Sequence, residues 1–289
     1  MAAYDRYAED LGNITMLEHV NLQIPDQALG TLFYIQGLGL TRDPYMNTGL
    51  ANMWINVGKS QFHLPTGEPW VLRGAIALVT PDRDSLLQRL ESVKKPLAGT
   101  KFAVNETNDC VEVTCPWGNR MRVHAPDADR FGRMALGMPY IEFDVRPGTV
   151  DGIARFYSEV MLATSKVISD AHGRRAKVEV GEKQFYYFRE IDRPIPAYDG
   201  HHVQIFITNF SGPYRRLVEL GLLTVEFGQH EYRFNDVIDL DTRQVLFTME
   251  HEVRSHTHPM YGRPLINRNP AQNNRDYKPG HDSIAWALP

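Results

Sequence analysis

Cysteine is scarce in this sequence of 289 residues, which contains only Cys110 and Cys115. The two lie five positions apart in what reads as a single strand, so their side chains point to opposite faces of that strand. This spacing argues against a disulfide or a shared metal ion between them. We therefore expect two free thiols, which favours a reducing compartment such as the cytoplasm.

Long apolar runs and an excess of charge of one sign are also missing. No stretch approaches the roughly 20 apolar residues that span a bilayer, and the N-terminus has no apolar signal-peptide core, so we expect no membrane segment and no signal peptide. The formal net charge of −4 gives no reason to expect nucleic acid or an anionic membrane as a partner. A small-molecule ligand remains the expected partner, and a homodimer stays open.

The sequence does contain a pattern that occurs four times. A strand with alternating apolar residues is followed by a helical stretch and then by further strands, and the four leading strands begin near Leu17, Gly74, Tyr140 and His201. Alternation places one face of each strand against a helix and leaves the other face for a different contact. The pattern predicts an α+β fold made of four βαβββ units.

The four units divide into two halves. A polar, glycine-bearing stretch over residues 128–137 separates the first two units from the last two. It predicts one module over residues 1–130 and a second module over residues 137–254. Residues 255–289 are rich in proline, asparagine and arginine without periodicity, which predicts an irregular C-terminal extension.

This order of units resembles the vicinal oxygen chelate superfamily, whose members include glyoxalase I, extradiol ring-cleaving dioxygenases and bleomycin-binding proteins. The resemblance covers about residues 15–254 and rests on four short motifs: Leu17-Glu18-His19-Val20, Gly37-Leu38-Gly39-Leu40, Pro116-Trp117-Gly118-Asn119-Arg120 and Gly200-His201-His202-Val203. It implies two tandem modules, each an open eight-stranded cup. It also implies metal ligands on the first and last strands of the units, facing the hollow.

The second predicted cup offers the first candidate site. Strand alternation turns Glu142, His202 and Glu250 toward the hollow and the apolar residues between them toward the helices. One histidine with two carboxylates is a relative of the 2-His-1-carboxylate triad of non-haem iron enzymes. Tyr187 is a candidate proton donor. His251 is a candidate acid or base, although alternation places it on the helix side.

The first predicted cup offers an alternative set. The same alternation turns His19, His63 and His124 toward the hollow. Three imidazoles suit Zn²⁺, Fe²⁺, Co²⁺ or Ni²⁺. Ala75, at the head of the second unit's first strand, cannot contribute a ligand.

The resemblance implies an enzyme that binds a divalent metal, with Fe(II) favoured and Zn, Ni, Co or Mn as alternatives. Its substrate is expected to carry two neighbouring oxygens, as a catechol does. A ring-cleaving dioxygenase is the first expectation. Two alternatives stay open: a glyoxalase-like lyase or isomerase, and a metal-free protein that binds a drug or metabolite.

Overall fold

Four βαβββ units follow one another along the chain, as the sequence predicts. A computed structural model describes residues 6–43, 51–263 and 265. After a short 3-10 helix (Tyr7–Glu9), the first unit contains β1 (Ile14–Asn21), α1 (Gln27–Gly30) with its π-helical continuation (Thr31–Gly37), β2 (Thr41–Arg42), β3 (Asn52–Val57) and β4 (Ser60–Pro65). The second unit contains β5 (Gly74–Val79), α2 (Arg83–Lys94), β6 (Ala103–Glu106), β7 (Val111–Thr114) and β8 (Arg120–His124).

A short helix, α3 (Ala128–Phe131), leads into the second half of the chain. The third unit contains β9 (Tyr140–Val145), α4 (Val150–Glu159), β10 (Ser165–Asp170), β11 (Gly173–Gly181) and β12 (Gln184–Glu190). The fourth contains β13 (His202–Ile207), α5 (Ser211–Glu219), β14 (Leu223–Phe227), β15 (Glu231–Ile238) and β16 (Val245–Ser255). The expected α+β class is confirmed.

The strands form two open eight-stranded sheets, as expected, but the units combine differently. The first sheet has the order β14-β15-β16-β13-β1-β4-β3-β2, and the second has the order β10-β11-β12-β9-β5-β8-β7-β6. The first unit therefore shares a sheet with the fourth, and the second unit with the third. Residues 1–130 and 137–254 each hold two complete units, but neither half builds a sheet alone. Each sheet is instead joined at its centre by an antiparallel strand pair between the two halves, β1 with β13 in the first sheet and β5 with β9 in the second.

Each central strand has one apolar face and one polar face, as its alternation predicts. Val20 and Val203 are cross-strand partners and fully buried in the hydrophobic core. His19 and His202 lie on the opposite face of the same two strands, which is the concave side of the first sheet. We refer to the concave sides of the two sheets as the first cup and the second cup.

Two further local features concern the cysteines and the start of α2. Cys110 and Cys115 are free and buried. The Asp82 side chain accepts a hydrogen bond from Ser85 N and caps α2, because the first N–H groups of a helix have no partner within it. Within the described part of the chain, no helix combines the length and the apolarity that crossing a bilayer would require.

Ser255 ends β16, and the rest of the described part of the expected C-terminal extension, residues 256–263 and 265, runs through turns beside the first cup. The Arg263 guanidinium lies 2.5 Å from an Asp43 carboxylate oxygen and 3.1 Å from Gln61 Oε1, and all three residues are buried. Gln61 is the cross-strand neighbour of His19. This segment therefore lies directly beside the polar face of β1. Residues 264 and 266–289 lie outside the described residues.

One buried side chain, Gln184 at the start of β12, joins the two sheets. Its Oε1 accepts from Leu17 N at 3.0 Å, and its Nε2 donates to Ser60 Oγ and to Met138 O, both at 3.0 Å. Leu17 and Ser60 belong to the first sheet, whereas Gln184 belongs to the second. The amide thus satisfies polar groups that would otherwise be buried without partners.

Gln184→Leu is expected to lower the free energy of unfolding by about 2–4 kcal/mol, because several buried polar groups lose their partners while the volume changes little. Urea denaturation measures this loss. The exposed Gln244 on the turn before β16 provides a matched control, Gln244→Leu, which should stay close to wild type. Equal stability of the two variants would contradict the assigned role of Gln184.

Candidate metal centre

Three histidines from three strands converge in the first cup. His19 stands on β1, His63 on β4 and His202 on β13, and one ring nitrogen of each lies within 4.8 Å of the others. His19 and His202 are buried and His63 is half-buried. Metal–nitrogen bonds of 2.0–2.1 Å place two donor atoms at most about 4.2 Å apart. Small side-chain shifts would therefore bring all three nitrogens to one ion.

The Nε2 atoms of His19, His63 and His202 are buried and have no hydrogen-bond partner. A buried nitrogen without a partner is costly, and three of them side by side are unusual in a folded protein. A cation at their centre would satisfy all three. This observation shows that the residues present fit a divalent metal.

The opposite ring nitrogens of two of these histidines face carboxylates. His19 Nδ1 donates to the adjacent Glu18 carboxylate, and His202 Nδ1 lies 3.2 Å from Glu250 Oε1. Because a carboxylate only accepts hydrogen bonds, the contact with Glu18 places the proton of His19 on Nδ1 and leaves its Nε2 lone pair toward the cup. Glu250 faces the corresponding nitrogen of His202. Metal-binding histidines are commonly held in this way.

His63 is fixed by a different pair of contacts. Asn21 Nδ2 donates to His63 Nδ1 at 2.6 Å, which keeps the proton of a neutral His63 on Nε2. Turning this amide over would instead bring Asn21 Oδ1, which is buried without a partner, to an Nδ1–H group and would free Nε2 for a metal. The Trp54 ring stacks on the imidazole with centroids 3.9 Å apart, and it also meets His19 edge-on at 4.9 Å. The indole therefore forms a wall that keeps water away from one side of the His63 and His19 rings.

Glu252 supplies a carboxylate to the same point. Its Oε2 lies 3.5 Å from His202 Nε2 and 4.0 Å from His19 Nε2. The same oxygen lies 2.7 Å from Arg233 Nη2, and Oε1 lies 2.5 Å from Arg254 Nη2. Glu252 is thus near enough to join the three imidazoles as a fourth donor while two guanidinium groups hold it.

Burial and neighbouring charges set the protonation states of these groups. Burial by itself would raise the pKa of Glu252, but Arg254, His202, His19 and Arg233 hold it well below its ordinary value. Burial, reinforced by the charges of His19 and His202, lowers the pKa of His63 well below its ordinary value. Burial also lowers the pKa of His202. An ionised Glu252 beside neutral His63 and His202 is the state that binds a metal.

The structure does not bring the two predicted ligand sets together as expected. Glu142 lies on β9 in the second sheet, whereas His202 and Glu250 lie in the first. His124 lies on β8 in the second sheet, away from His19 and His63. Both sets combine strands from different cups, because the sheets join the first unit to the fourth and the second to the third.

The carboxylate beside His202 Nε2 is also two residues from the predicted one. Glu250 is the cross-strand partner of His202 and lies 3.2 Å from its Nδ1. Glu252 is the cross-strand partner of Gln204 and lies 3.5 Å from His202 Nε2. Alternation does place both glutamates on the cup face. The choice between them depends on side-chain reach, which the sequence pattern does not contain.

Tyr187 lies in the second cup, far from the histidine cluster in sheet order. It stands on β12, where the Arg175 guanidinium lies 4.2 Å from its ring centroid. Burial raises the pKa of its hydroxyl. Tyr187 is thus the cross-strand partner of Glu142 and stands in the other sheet from the histidine cluster.

His251 lies on the helix side of β16 and is fully buried in the core. Its Nδ1 donates to Met249 O at 2.8 Å, and its Nε2 accepts from the Tyr157 hydroxyl at 2.5 Å. The ring also stacks on Phe234 with centroids 4.3 Å apart. His251 is therefore a satisfied core histidine on the helix side of β16, where alternation places it, and it does not line the cup.

A second group with metal-binding side chains consists of Asp109, Cys110 and His124. Its members already have partners. Asp109 is exposed and lies 2.6 Å from Arg130 Nη1, and His124 Nε2 lies 3.0 Å from the Tyr140 hydroxyl. Burial raises the pKa of the Cys110 thiol, which keeps it protonated. This group is a weaker candidate than the histidine cluster.

Protein stability is expected to fall with acid partly through His251. Burial lowers the pKa of His251 to about 4, whereas an unfolded histidine titrates near 6.5. The unfolded state therefore takes up a proton that the folded state refuses, so stability declines as pH falls through this window. His251→Gln should flatten the decline by up to about 1.4 kcal/mol per pH unit.

Urea unfolding at several pH values between 7 and 5 measures this slope. His172→Gln, which changes an exposed histidine, serves as the control and should keep the wild-type slope. An unchanged slope in the His251 variant would contradict the assignment.

Comparison with known proteins identifies the architecture. No protein-family model and no curated protein sequence matches the chain. Glyoxalase I from Zea mays is similar in structure, with a TM-score of 0.59 and 12% identity over 83% of this chain and 92% of that one. A candidate dioxygenase from Bacillus subtilis subsp. subtilis str. 168 is also similar, with a TM-score of 0.56 and 12% identity over 85% of this chain and 86% of that one. The chain therefore has the fold of the vicinal oxygen chelate superfamily.

Proposed function

We propose that the protein is a divalent-metal-dependent enzyme that acts on a small molecule with two neighbouring oxygens. The observation that carries this proposal is the convergence of three buried, unpartnered Nε2 atoms from His19, His63 and His202. Glu252 adds an ionised carboxylate at 3.5 Å from the His202 nitrogen. Imidazole and carboxylate donors suit Fe(II), Co, Ni, Zn and Mn.

The residues around the cluster have separate tasks in this proposal. Glu18 holds His19 in the tautomer that presents Nε2, and Glu250 faces Nδ1 of His202. Trp54 excludes water from one side. A bound divalent ion would polarise two adjacent substrate oxygens and stabilise the negative charge that develops on them.

The number of protein donors separates two classes of reaction. His19, His202 and Glu252 alone form a 2-His-1-carboxylate set, which is typical of non-haem Fe(II) oxygenases. With His63 as a fourth donor, a six-coordinate ion keeps room for a two-oxygen substrate and nothing further. With the Asn21 amide turned so that Oδ1 accepts from Nδ1, His63 presents a free and unpartnered Nε2, which favours four donors. We therefore propose redox-neutral lyase or isomerase chemistry first.

A ring-cleaving dioxygenase is the second candidate. Arg233 Nη2 lies 2.7 Å from Glu252 Oε2 and could keep this carboxylate from the ion. Three imidazoles would then hold the metal, and one more position would be open. The structural similarity to a candidate dioxygenase is compatible with this alternative at the level of fold.

Metal binding tests the first part of the proposal. Purified protein loaded with Co²⁺ and dialysed is expected to retain about one ion per chain, since four donors from one cup serve one ion. His19→Ala and His202→Ala should each weaken binding at least about tenfold, as the loss of even an outer partner commonly does. Elemental analysis and the Co²⁺ absorption spectrum report the result.

His124→Ala is the matched control, because it removes a buried histidine from the other sheet. It should retain the metal. If His124→Ala loses the ion while His202→Ala keeps it, the proposed centre is wrong and the Asp109–Cys110–His124 group takes its place.

Reaction class is tested separately, with Fe²⁺-, Co²⁺-, Ni²⁺- and Zn²⁺-loaded protein. A redox-neutral enzyme should turn over α-hydroxycarbonyl substrates with several of these metals and consume no oxygen. Oxygen uptake with a panel of catechols, seen with Fe²⁺ and absent with Zn²⁺, would instead establish the dioxygenase. His63→Ala sharpens the distinction, because loss of a fourth donor should lower the redox-neutral rate at least about tenfold.

A further inference from the structure

The two sheets arrange their strands in equivalent order, and the register of the strands in the second sheet shows which residues stand in place of the metal-site residues. In the first sheet, the core pair Val20 and Val203 lies beside His19 and His202. In the second sheet, the matching core pair is Ile76 and Ile141. One step back along each strand stand Ala75 and Tyr140, which are therefore the counterparts of His19 and His202.

The outer strands give the other two counterparts. His63 is the partner of Asn21, one step after Val20, and Arg122 is the partner of Ala77, one step after Ile76. Glu252 is the partner of Gln204, one step after Val203. Tyr187 is the partner of Glu142, one step after Ile141, and is therefore the counterpart of Glu252. Alanine, arginine and two tyrosines thus stand where the first cup has three histidines and a glutamate. This set does not hold a cation.

The replacement of an imidazole by a methyl group is accompanied by a cavity. An open cavity of about 180 Å³ lies against Ala75, and residues of β6, β7 and β8 line it. Its polar lining consists of Arg120, Arg122, Thr114, Asn105 and Glu112. The volume suits a ligand of a few heavy atoms.

The cavity borders a cluster in which guanidinium groups outnumber carboxylates. Glu142, which is buried, lies 3.1 Å from Arg122, 3.4 Å from Arg189 and 3.7 Å from Arg175. Asp144, also buried, lies 2.7 Å from Arg193, 2.9 Å from Arg189 and 3.2 Å from Arg120. With Asp170, which pairs with Arg175, and Glu112 on the cavity, five guanidinium groups face four carboxylates.

One positive charge therefore remains in this cluster. Arg120 and Arg122 on β8 also line the cavity. Each guanidinium has five N–H donors. Arg122 uses Nη1 for Glu142, and Arg120 uses Nε for Gly74 O and Nη2 for Asp144. Further donors remain on both groups, and the Thr114 hydroxyl adds another. Paired arginines with a hydroxyl match the planar, two-oxygen acceptor of a carboxylate.

We propose that the second cup is a binding site for a small monocarboxylate, held by Arg122 and Arg120 in the cavity that Ala75 leaves open. One negative charge on the ligand neutralises the excess positive charge of the cup. Glu112 is exposed and bound to Asn105 Nδ2 at 2.9 Å, so water screens its repulsion of the ligand. The site is independent of the metal centre, which lies in the other sheet.

An amide-detected NMR titration of the full-length protein tests this site, with acetate as the probe. Acetate should shift the amide resonances of β5 and β8 near Ala75 and Arg122. Acetamide has the same shape without the charge and should leave them unchanged. Inorganic phosphate tests the other common oxyanion and should bind these amides more weakly than acetate.

Two variants with opposite effects make the test specific. Arg122→Gln should raise the dissociation constant for acetate at least about tenfold, because a charge-assisted hydrogen bond is lost. Glu112→Gln removes the repelling carboxylate from an exposed position and should lower the constant. Arg215→Gln, an exposed change on α5, should leave it as in wild type.

Several results would overturn the proposal. Shifts confined to β1 and β13 would place the anion at the metal centre. Equal shifts with acetamide would show that charge is not recognised, and tighter binding of phosphate would exclude the carboxylate assignment. An unchanged dissociation constant in both the Arg122 and the Glu112 variants would show that these side chains do not face the ligand.

Discussion

The antiparallel pairing of β1 with β13 is the contact on which the candidate metal centre depends. It places a strand from the first unit beside a strand from the fourth, with Asn21 opposite His202 and His19 opposite Gln204. The two histidines then lie on one face with ring centroids 5.8 Å apart. The parallel partners β4 and β16 bring His63 and Glu252 to the same face from either side. Without this pairing, the donors would stand in separate places.

Much of the fold and part of the site could be predicted from the sequence. Alternation alone places His19, His63 and His202 on the polar side of their strands, because a period of two fixes the face of every residue. It also places His251 on the helix side, where the structure shows it bonded to Tyr157. These inferences are local and need no knowledge of which strands pair.

The pairing of units could not be predicted in the same way. Each leading strand carries a similar apolar pattern, so β1 could accept either β5 or β13 as a neighbour as far as alternation is concerned. Long-range pairing between strands decides that choice. Because the sequence pairs β1 with β5 and β9 with β13, it groups Glu142 and His124 with ligands that lie in the other sheet. Register adds a further difference, because Tyr140, two positions before Glu142, is the residue that matches His202.

The nested order of the sheets has a consequence for how the chain is assembled during synthesis. The second sheet is built from β5 to β12, one uninterrupted stretch, whereas the first sheet joins β1–β4 to β13–β16 from both ends of that stretch. A growing chain emerges from its N-terminus and folds in parts as they appear. The inner sheet can thus close while β1 still waits for its neighbour. His19 is among the first donors to be made, and it meets Glu252 only after nearly all of the described chain has left the ribosome.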